Sequence, residues 1–97
     1  MQKKFSGVYR IEIGDKFYIG SSKHIFHRGV QHYTKLLFNQ HYNCFLQRAF
    51  NKLRKKKIRL VIMELTDHEH LAEREQYYIS TYYPELQFNI HRIATRR

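Results

Sequence analysis

Ninety-seven residues, 42% of them apolar, suffice for one hydrophobic core and are too few for two domains. A formal net charge of +10 points to a polyanionic partner, nucleic acid before membrane, since no helix joins a basic face to a large exposed apolar one. One cysteine, Cys44, excludes a disulfide framework and a thiolate metal site, and no apolar run approaches the ~20 residues of a membrane span.

A lone thiol fits a reducing cytosol, and the opening MQKKFSGVYR lacks the apolar region of a secretory signal, so a cytoplasmic protein is expected. The charge is unevenly laid out. Lys16 to Met63 contains no Asp or Glu and eleven Lys or Arg, whereas five of the eight acids fall between Glu64 and Glu75. Taken alone, such an excess also reads as a solubilising surface.

SGVYRIEIGDKFYIGSS alternates apolar and polar residues about Gly14-Asp15. This predicts a hairpin with strands at Gly7–Ile13 and Lys16–Ile19, joined by a type II′ turn. Gly20-Ser21-Ser22 breaks the pattern and offers an N-cap to a helix over Lys23 to Phe38. Ile25, Phe26, Val30, Tyr33, Leu36 and Leu37 share its predicted core face, with Arg28 and His32 together along the edge. Gly29 inside this helix costs about 1 kcal/mol relative to Ala, so a close approach by something is expected there.

FNQHYN reads as a loop, and Asn43 as the cap of a second helix over Cys44 to Lys55. That helix buries Phe45, Leu46, Ala49, Phe50 and Leu53 and turns Gln47, Arg48, Asn51 and Arg54 outward. RKKKIRLVIMEL is a basic run leading into a third strand, Arg59–Glu64. Thr66 and Glu69 have capping-box spacing and start a third helix that Pro84 stops near Tyr82 or Tyr83. QFNIHRIATRR is a short extended segment with a basic tail. The order is β-β-α-α-β-α, an α+β fold in one domain, residues 1–97.

Leu71, Tyr78, Ile79 and Tyr82 form the inward stripe of the third helix, and Glu75 occupies a core slot within it. An ionised carboxylate there needs an Arg partner, a shifted protonation state or a metal ion to offset its desolvation. Arg28 and His32, beside a Gly-Ser-Ser turn, suit a phosphate: Arg binds it bidentately and His moves a proton near neutral pH. Tyr9 and Tyr18 read either as a cross-strand packing pair or as two phenols on one surface. Tyr33, Tyr77, Tyr78, Tyr82 and Tyr83 read as packing. Exposed tyrosines beside basic residues also suit the stacking of single-strand bases. His68-Glu69-His70 does not make a zinc site, because H-x-H on a helix splays its imidazoles and no third ligand is near. Lys23, Arg48, Arg54, Lys55, Lys56 and Lys57 are the candidate nucleic-acid contacts.

GVY at 7–9, YIG at 18–20, Arg28, His32, NCFLQRAFNK at 43–52, EREQYYI at 73–79 and FNI at 88–90 occur in one order. With these the chain resembles the GIY-YIG endonuclease family nearly end to end. The resemblance implies a three-stranded antiparallel sheet flanked by three helices, carrying one active site that cleaves DNA phosphodiesters with Mg2+ or Mn2+. By motif position it implies that Tyr9 and Tyr18 are the motif tyrosines and Arg28 the catalytic arginine. His32 falls where the family has His or Tyr, Glu75 corresponds to the metal-binding glutamate, and Asn89 to a late active-site asparagine. Two features depart from the pattern. GVY replaces GIY, and the eight residues between Tyr9 and Tyr18 lie toward the short end for the family. Many relatives tether the domain to a separate DNA-binding module, and none is read here.

On this reading Glu75 holds a metal that polarises the phosphate, and Arg28 neutralises charge developing on it. Tyr9 takes the proton of the attacking water, His32 accepts it onward, and Tyr18 positions the water. A phenol with an ordinary pKa of ~10 needs nearby cations for this task. The expected substrate is single-stranded or hairpin-like DNA rather than long duplex, bound by a monomer or weak dimer with no membrane involved. Two other classes stay open: a catalytic subunit of a repair or mobile-element complex, and a domain that binds nucleic acid without cutting.

Overall fold

The computed structural model describes residues 5–53 and 58–89. The basic run Arg54–Lys57 and the tail beyond Asn89 lie outside these residues, as do the nucleic-acid contacts expected at Arg54, Lys55, Lys56 and Lys57. The hairpin forms as its alternation predicts, from β1 (Gly7–Ile13) and β2 (Lys16–Ser22). Gly14 takes φ +64°, the positive value that the first central residue of a II′ turn requires. β2 continues three residues past its expected end, because Gly20, Ser21 and Ser22 each keep a β1 partner in Tyr9, Val8 and Gly7. Those serines therefore belong to the strand, and α1 (Ile25–Leu37) starts without a side-chain cap on its first turn.

β3 (Ile58–Leu65) pairs antiparallel with the far side of β1, giving the sheet order β2-β1-β3. Strand alternation sends Tyr9, Ile11 and Ile13 to one face, where they pack with Ile25 and Leu36 of α1 and Leu46 and Phe50 of α2 (Cys44–Leu53). Val8 and Ile19 face the other way, against Ile79 of α3 (Leu71–Thr81). The β1–β3 register shifts between Val8 and Tyr9: Val8 lies opposite Glu64, Tyr9 opposite Ile62, and Met63 is the extra residue of a bulge. Met63 joins the α3-side cluster, and Glu64 also reaches α3, taking bonds from Arg74 Nε and Nη2 and, at 2.9 Å, from the Tyr78 hydroxyl.

The buried stripe of α1 differs from the expected one. It runs through Ile25, His32 and Leu36, while Phe26, Val30, Tyr33 and Leu37 are exposed, Val30 by 65%. Gly29 lies on this sheet-facing stripe: a Cβ there would stand 2.9 Å from Leu60 Cδ2, so β3 makes the close approach expected at this glycine. The stripe is centred on a histidine because His32 finds partners for both ring nitrogens, which removes the penalty of burying it. Tyr33 is accordingly not core; its ring meets Phe50 edge-on from outside.

On α2, Asn43 caps as expected, its Oδ1 accepting from Phe45 N and Leu46 N at 3.0 Å each. Gln47 is buried rather than outward, and Phe45 is exposed. The Gln47 side chain accepts from His41 N and donates to Leu36 O, tying the loop after α1 to the helix that follows it. The third helix is capped one residue later than the T-x-x-E spacing suggests. Asp67 accepts from His70 N and introduces a 3-10 turn, His68–His70, that leads into α3. Tyr77 and Tyr83 are exposed instead of packed inward; Tyr77 carries the Arg74 guanidinium 4.4 Å above its ring.

Residues 87–89 run beside the outer edge of β2. Phe88 N donates to Phe17 O, and the Asn89 amide exchanges two bonds of 2.9 Å with Ile19 N and O. This covers part of an edge that would otherwise expose unpaired backbone groups. Asn43 Nδ2 holds the same segment through Phe88 O at 2.9 Å. Asn43→Ala is expected to lose about 2–4 kcal/mol of stability, the cap plus a buried bond. Asn43→Asp keeps the cap acceptor and should fall between the two in denaturant melts; equal stability of all three would refute the assignment.

Candidate active site

Tyr9 sits on the central strand, yet its phenol reaches toward the edge strand. Its register partner on β2 is Gly20, and a Cβ at Gly20 would lie 2.6 Å from the Tyr9 hydroxyl. The missing side chain is thus the space the phenol occupies. At 1% exposure the ring is core by packing, while its hydroxyl meets His32 Nε2 at 2.7 Å.

From there a chain of bonds leads outward with only one possible polarity. His32 Nδ1 meets His41 Nε2 at 2.7 Å, and His41 Nδ1 takes the backbone N–H of Asn43 at 3.0 Å. A backbone N–H only donates, so His41 Nδ1 must accept and the His41 proton resides on Nε2. That proton is donated to His32 Nδ1, which leaves the His32 proton on Nε2, donated to the Tyr9 oxygen. Burial, with His41, Arg28 and Lys35 adding to it, holds the His32 pKa down to about 3. Burial and Lys35 hold His41 down to about 4. Both imidazoles are neutral at physiological pH, and His32 is a donor to Tyr9, not the acceptor of its proton.

Tyr18 occupies the same sheet face on β2 and meets the Tyr42 hydroxyl at 2.5 Å. Burial raises the Tyr9 phenol well above the ordinary tyrosine value; Tyr42 and Glu75 push the same way, and Arg28 pulls it down. Tyr18 is raised by burial and then by Tyr42. Arg28 is exposed at the mouth of the site, in a hollow it shares with Gln31, His32, Lys35 and Tyr42.

Glu75 approaches from the α3 side of the sheet. The Ser21 hydroxyl at the end of β2 donates to its carboxylate. Arg74, the cation next to it in sequence, is engaged by Glu64 instead. Among the described residues no three His, Cys, Asp or Glu side chains cluster as a metal cage. One half-buried carboxylate is nonetheless the donor set that Mg2+ suits, since this ion keeps its waters and adds substrate oxygens. A tetrahedral zinc site would need more protein ligands.

The geometry thus brings Tyr9, Tyr18, Arg28 and His32 together on the α1 side of the sheet, while Glu75 meets Ser21 from the α3 side, near enough for its charge to bear on both phenols. Asn89 stands apart, with its amide on the Ile19 backbone. Lys23 is exposed just past β2, and Arg48 lies on α2 with its guanidinium 5.8 Å from the Phe45 ring. A sequence profile of the GIY-YIG catalytic domain matches residues 5–89. The chain belongs to the GIY-YIG family. Its fold is similar to the catalytic domain of the homing endonuclease I-TevI, with 28% identity and a TM-score of 0.80 over 89% of this chain and 98% of that one. A mutant catalytic domain of intron endonuclease I-TevI is likewise similar, at 27% identity and TM-score 0.82, over 95% of this chain and 97% of that one. Curated proteins give no match. The domain is a GIY-YIG endonuclease with the three-stranded antiparallel sheet and three helices of that fold. GIY-YIG nucleases generally depend on a divalent metal.

Three site residues escape a reading of the sequence alone. His41 and Tyr42 sit in FNQHYN, where the one signal is a His-Tyr pair in a short loop between helices. Ser21 reads as a helix cap until the strand is seen to run through it.

Gly20→Ala should displace the Tyr9 phenol and lower kcat by about 100-fold with DNA affinity little changed, since small misplacements of a reacting group cost that much. Unaltered kcat would mean the phenol has another route. The histidine pair also predicts a pH dependence of folding. Both folded pKa values lie below the ordinary 6.5, so the unfolded chain binds more protons on acidification and stability falls below about pH 6.5. From pH 7 to 5 the loss is about 2 kcal/mol per histidine. Urea melts of wild type and His41→Asn should show a shallower acid slope in the variant; equal slopes would contradict the neutral pair.

Proposed function

We propose that this GIY-YIG domain hydrolyses DNA phosphodiesters at the end of β2, with Mg2+ or Mn2+ held by Glu75. The observation that carries this reading is the buried Tyr9 phenol receiving a bond from neutral His32 beside Arg28 and Glu75. When bound, the metal supplies Lewis-acid stabilisation of phosphate charge. Arg28, exposed and positively charged, binds the phosphate oxygens and offsets the charge that builds on them. The Tyr9 oxygen accepts from His32 and turns its own hydrogen toward the cleft. Loss of that proton to solvent leaves a phenolate that His32 still stabilises and that takes a proton from the attacking water. The water oxygen bonds to phosphorus as the bond to the 3′-oxygen breaks, and that oxygen leaves with a proton from solvent. The proton does not pass to His32, whose second nitrogen already accepts from His41. Tyr18, fixed through Tyr42, orients the water. Asn89 acts as a positioning residue, holding the β2 backbone at Ile19, between Tyr18 and Gly20.

The net charge of +10, with no acid from Lys16 to Met63, supports DNA as substrate. Lys23 and Arg48 are its outlying contacts. Single-stranded or hairpin DNA, bound by a monomer or weak dimer, suits the exposed Tyr33 and Tyr42 beside basic residues, which can stack unpaired bases, and a cytoplasmic setting suits the free Cys44. No helix among the described residues is long and apolar enough to cross a membrane.

End-labelled single-stranded, hairpin and duplex DNA should be cut only with a divalent metal, the first two faster; preferred duplex cutting would sink the strand preference. Glu75→Gln should lower cleavage at least about 1,000-fold while leaving DNA binding within about twofold. Robust cutting by that variant in magnesium would remove Glu75 from the metal site. Because burial raises the Tyr9 pKa, its phenolate fraction grows with pH, so the rate should climb about tenfold per unit from pH 7 to 9. A flat profile would exclude Tyr9 as base.

A further inference from the structure

Tyr42 is 67% exposed, yet it is held at two points. One face of its ring lies on His41, with centroids 4.6 Å apart and planes 22° from parallel, and His41 in turn lies on His32 at 4.9 Å and 23°. Its hydroxyl is fixed by Tyr18. A large aromatic kept in one orientation while most of its surface meets solvent is a preformed platform rather than a packing residue. The hollow beside it is walled by Arg28, Gln31, His32 and Lys35, the i, i+3, i+4 and i+7 positions of α1. That stripe begins at the arginine placed on the scissile phosphate and ends about 10 Å along the helix axis at a second exposed cation.

We propose that this hollow is a subsite for the nucleotide flanking the scissile phosphodiester, whose base stacks on the open face of Tyr42 while Lys35 binds its outer phosphate. The subsite rests on the reading of Arg28 and His32 as the phosphodiester site. Every base presents a π-face, so stacking supplies affinity without fixing sequence. The Gln31 amide reaches the base edge with both a donor and an acceptor. A base lying on Tyr42 must leave its neighbours in a duplex, and that cost is least where the strand is already unpaired. The platform therefore selects single-stranded or splayed DNA. It also links recognition to chemistry, because the ring that receives the base fixes the hydroxyl of Tyr18.

The test is equilibrium binding by Glu75→Gln protein, in which no strand is cut, to two probes: a short oligothymidylate and an oligomer of the same length made of abasic deoxyribose phosphate. The thymidylate should bind about 5- to 100-fold tighter, a difference due to the bases alone. Tyr42→Leu should abolish that difference while leaving abasic affinity unchanged, and Tyr42→Phe, which keeps the ring and loses the hydroxyl, should restore it. Lys35→Gln should weaken both probes alike and reduce the salt slope of binding by about 0.7. Equal binding of the two probes by Tyr42-intact protein overturns the subsite, as does a base preference that survives Tyr42→Leu. Neither result touches the cleavage reading, which is read separately from turnover by wild-type protein. A wild-type protein that binds by base yet never cuts would refute the cleavage reading alone.

Discussion

A tyrosine rooted in the middle of a sheet reaches out over its edge strand, which gives the phenol passage by having no side chain at Gly20. That steric constraint fixes much of what surrounds the site. A phenol so buried needs a polar partner, which places a histidine on the sheet-facing stripe of α1 where an apolar residue would otherwise sit. His32 then needs a partner for its second nitrogen, supplied by His41 from the loop between the helices. The loop in turn is held by Gln47 and by the backbone of Asn43. The wire ends on a group that cannot change its proton state, so its direction is set by the fold rather than by pH.

The acidic side chains are allotted with equal economy. Glu12 pairs with Arg10 and Arg59, Asp67 with His70, and Glu64 with Arg74. Surface pairs of this kind add little stability. Their effect here is on the field: anionic character is neutralised away from the site, and the cations from Lys16 to Lys52 are left to attract a polyanion.

Patterns that depend on neighbours in sequence were legible. Strand alternation about Gly14, the Asn43 cap, the order of elements and the helix-stopping Pro84 are local, and the hairpin and helices form where these place them. Burial of single positions was not. A helical wheel weighs hydrophobicity, and by that measure Phe26, Val30 and Tyr33 outrank His32. The histidine is nevertheless the buried one, because its partners lie 23 residues before it and 9 after it, beyond any local window. Candidate site residues could be proposed from ordered motifs. The direction of the hydrogen bonds among them could not, since it depends on which ring nitrogen of His41 the Asn43 backbone N–H meets. The strand reaching Ser21 was likewise hidden, because Gly-Ser-Ser has the composition of a turn and pairs only because β1 is there to receive it.

The bulge at Met63 shifts the phase of the third strand by one residue. It lets two successive side chains serve the same helix, one joining the apolar cluster and the other holding Arg74. Were the pairing regular through Met63, Glu64 would fall on the face of Ile62 and Tyr9, and Arg74 would lose its carboxylate partner while staying next to Glu75 in the same helix. A neighbouring guanidinium competes with any hard ion for a carboxylate. An irregularity in backbone pairing, far from Arg74 in sequence, therefore governs which carboxylate engages the guanidinium beside Glu75.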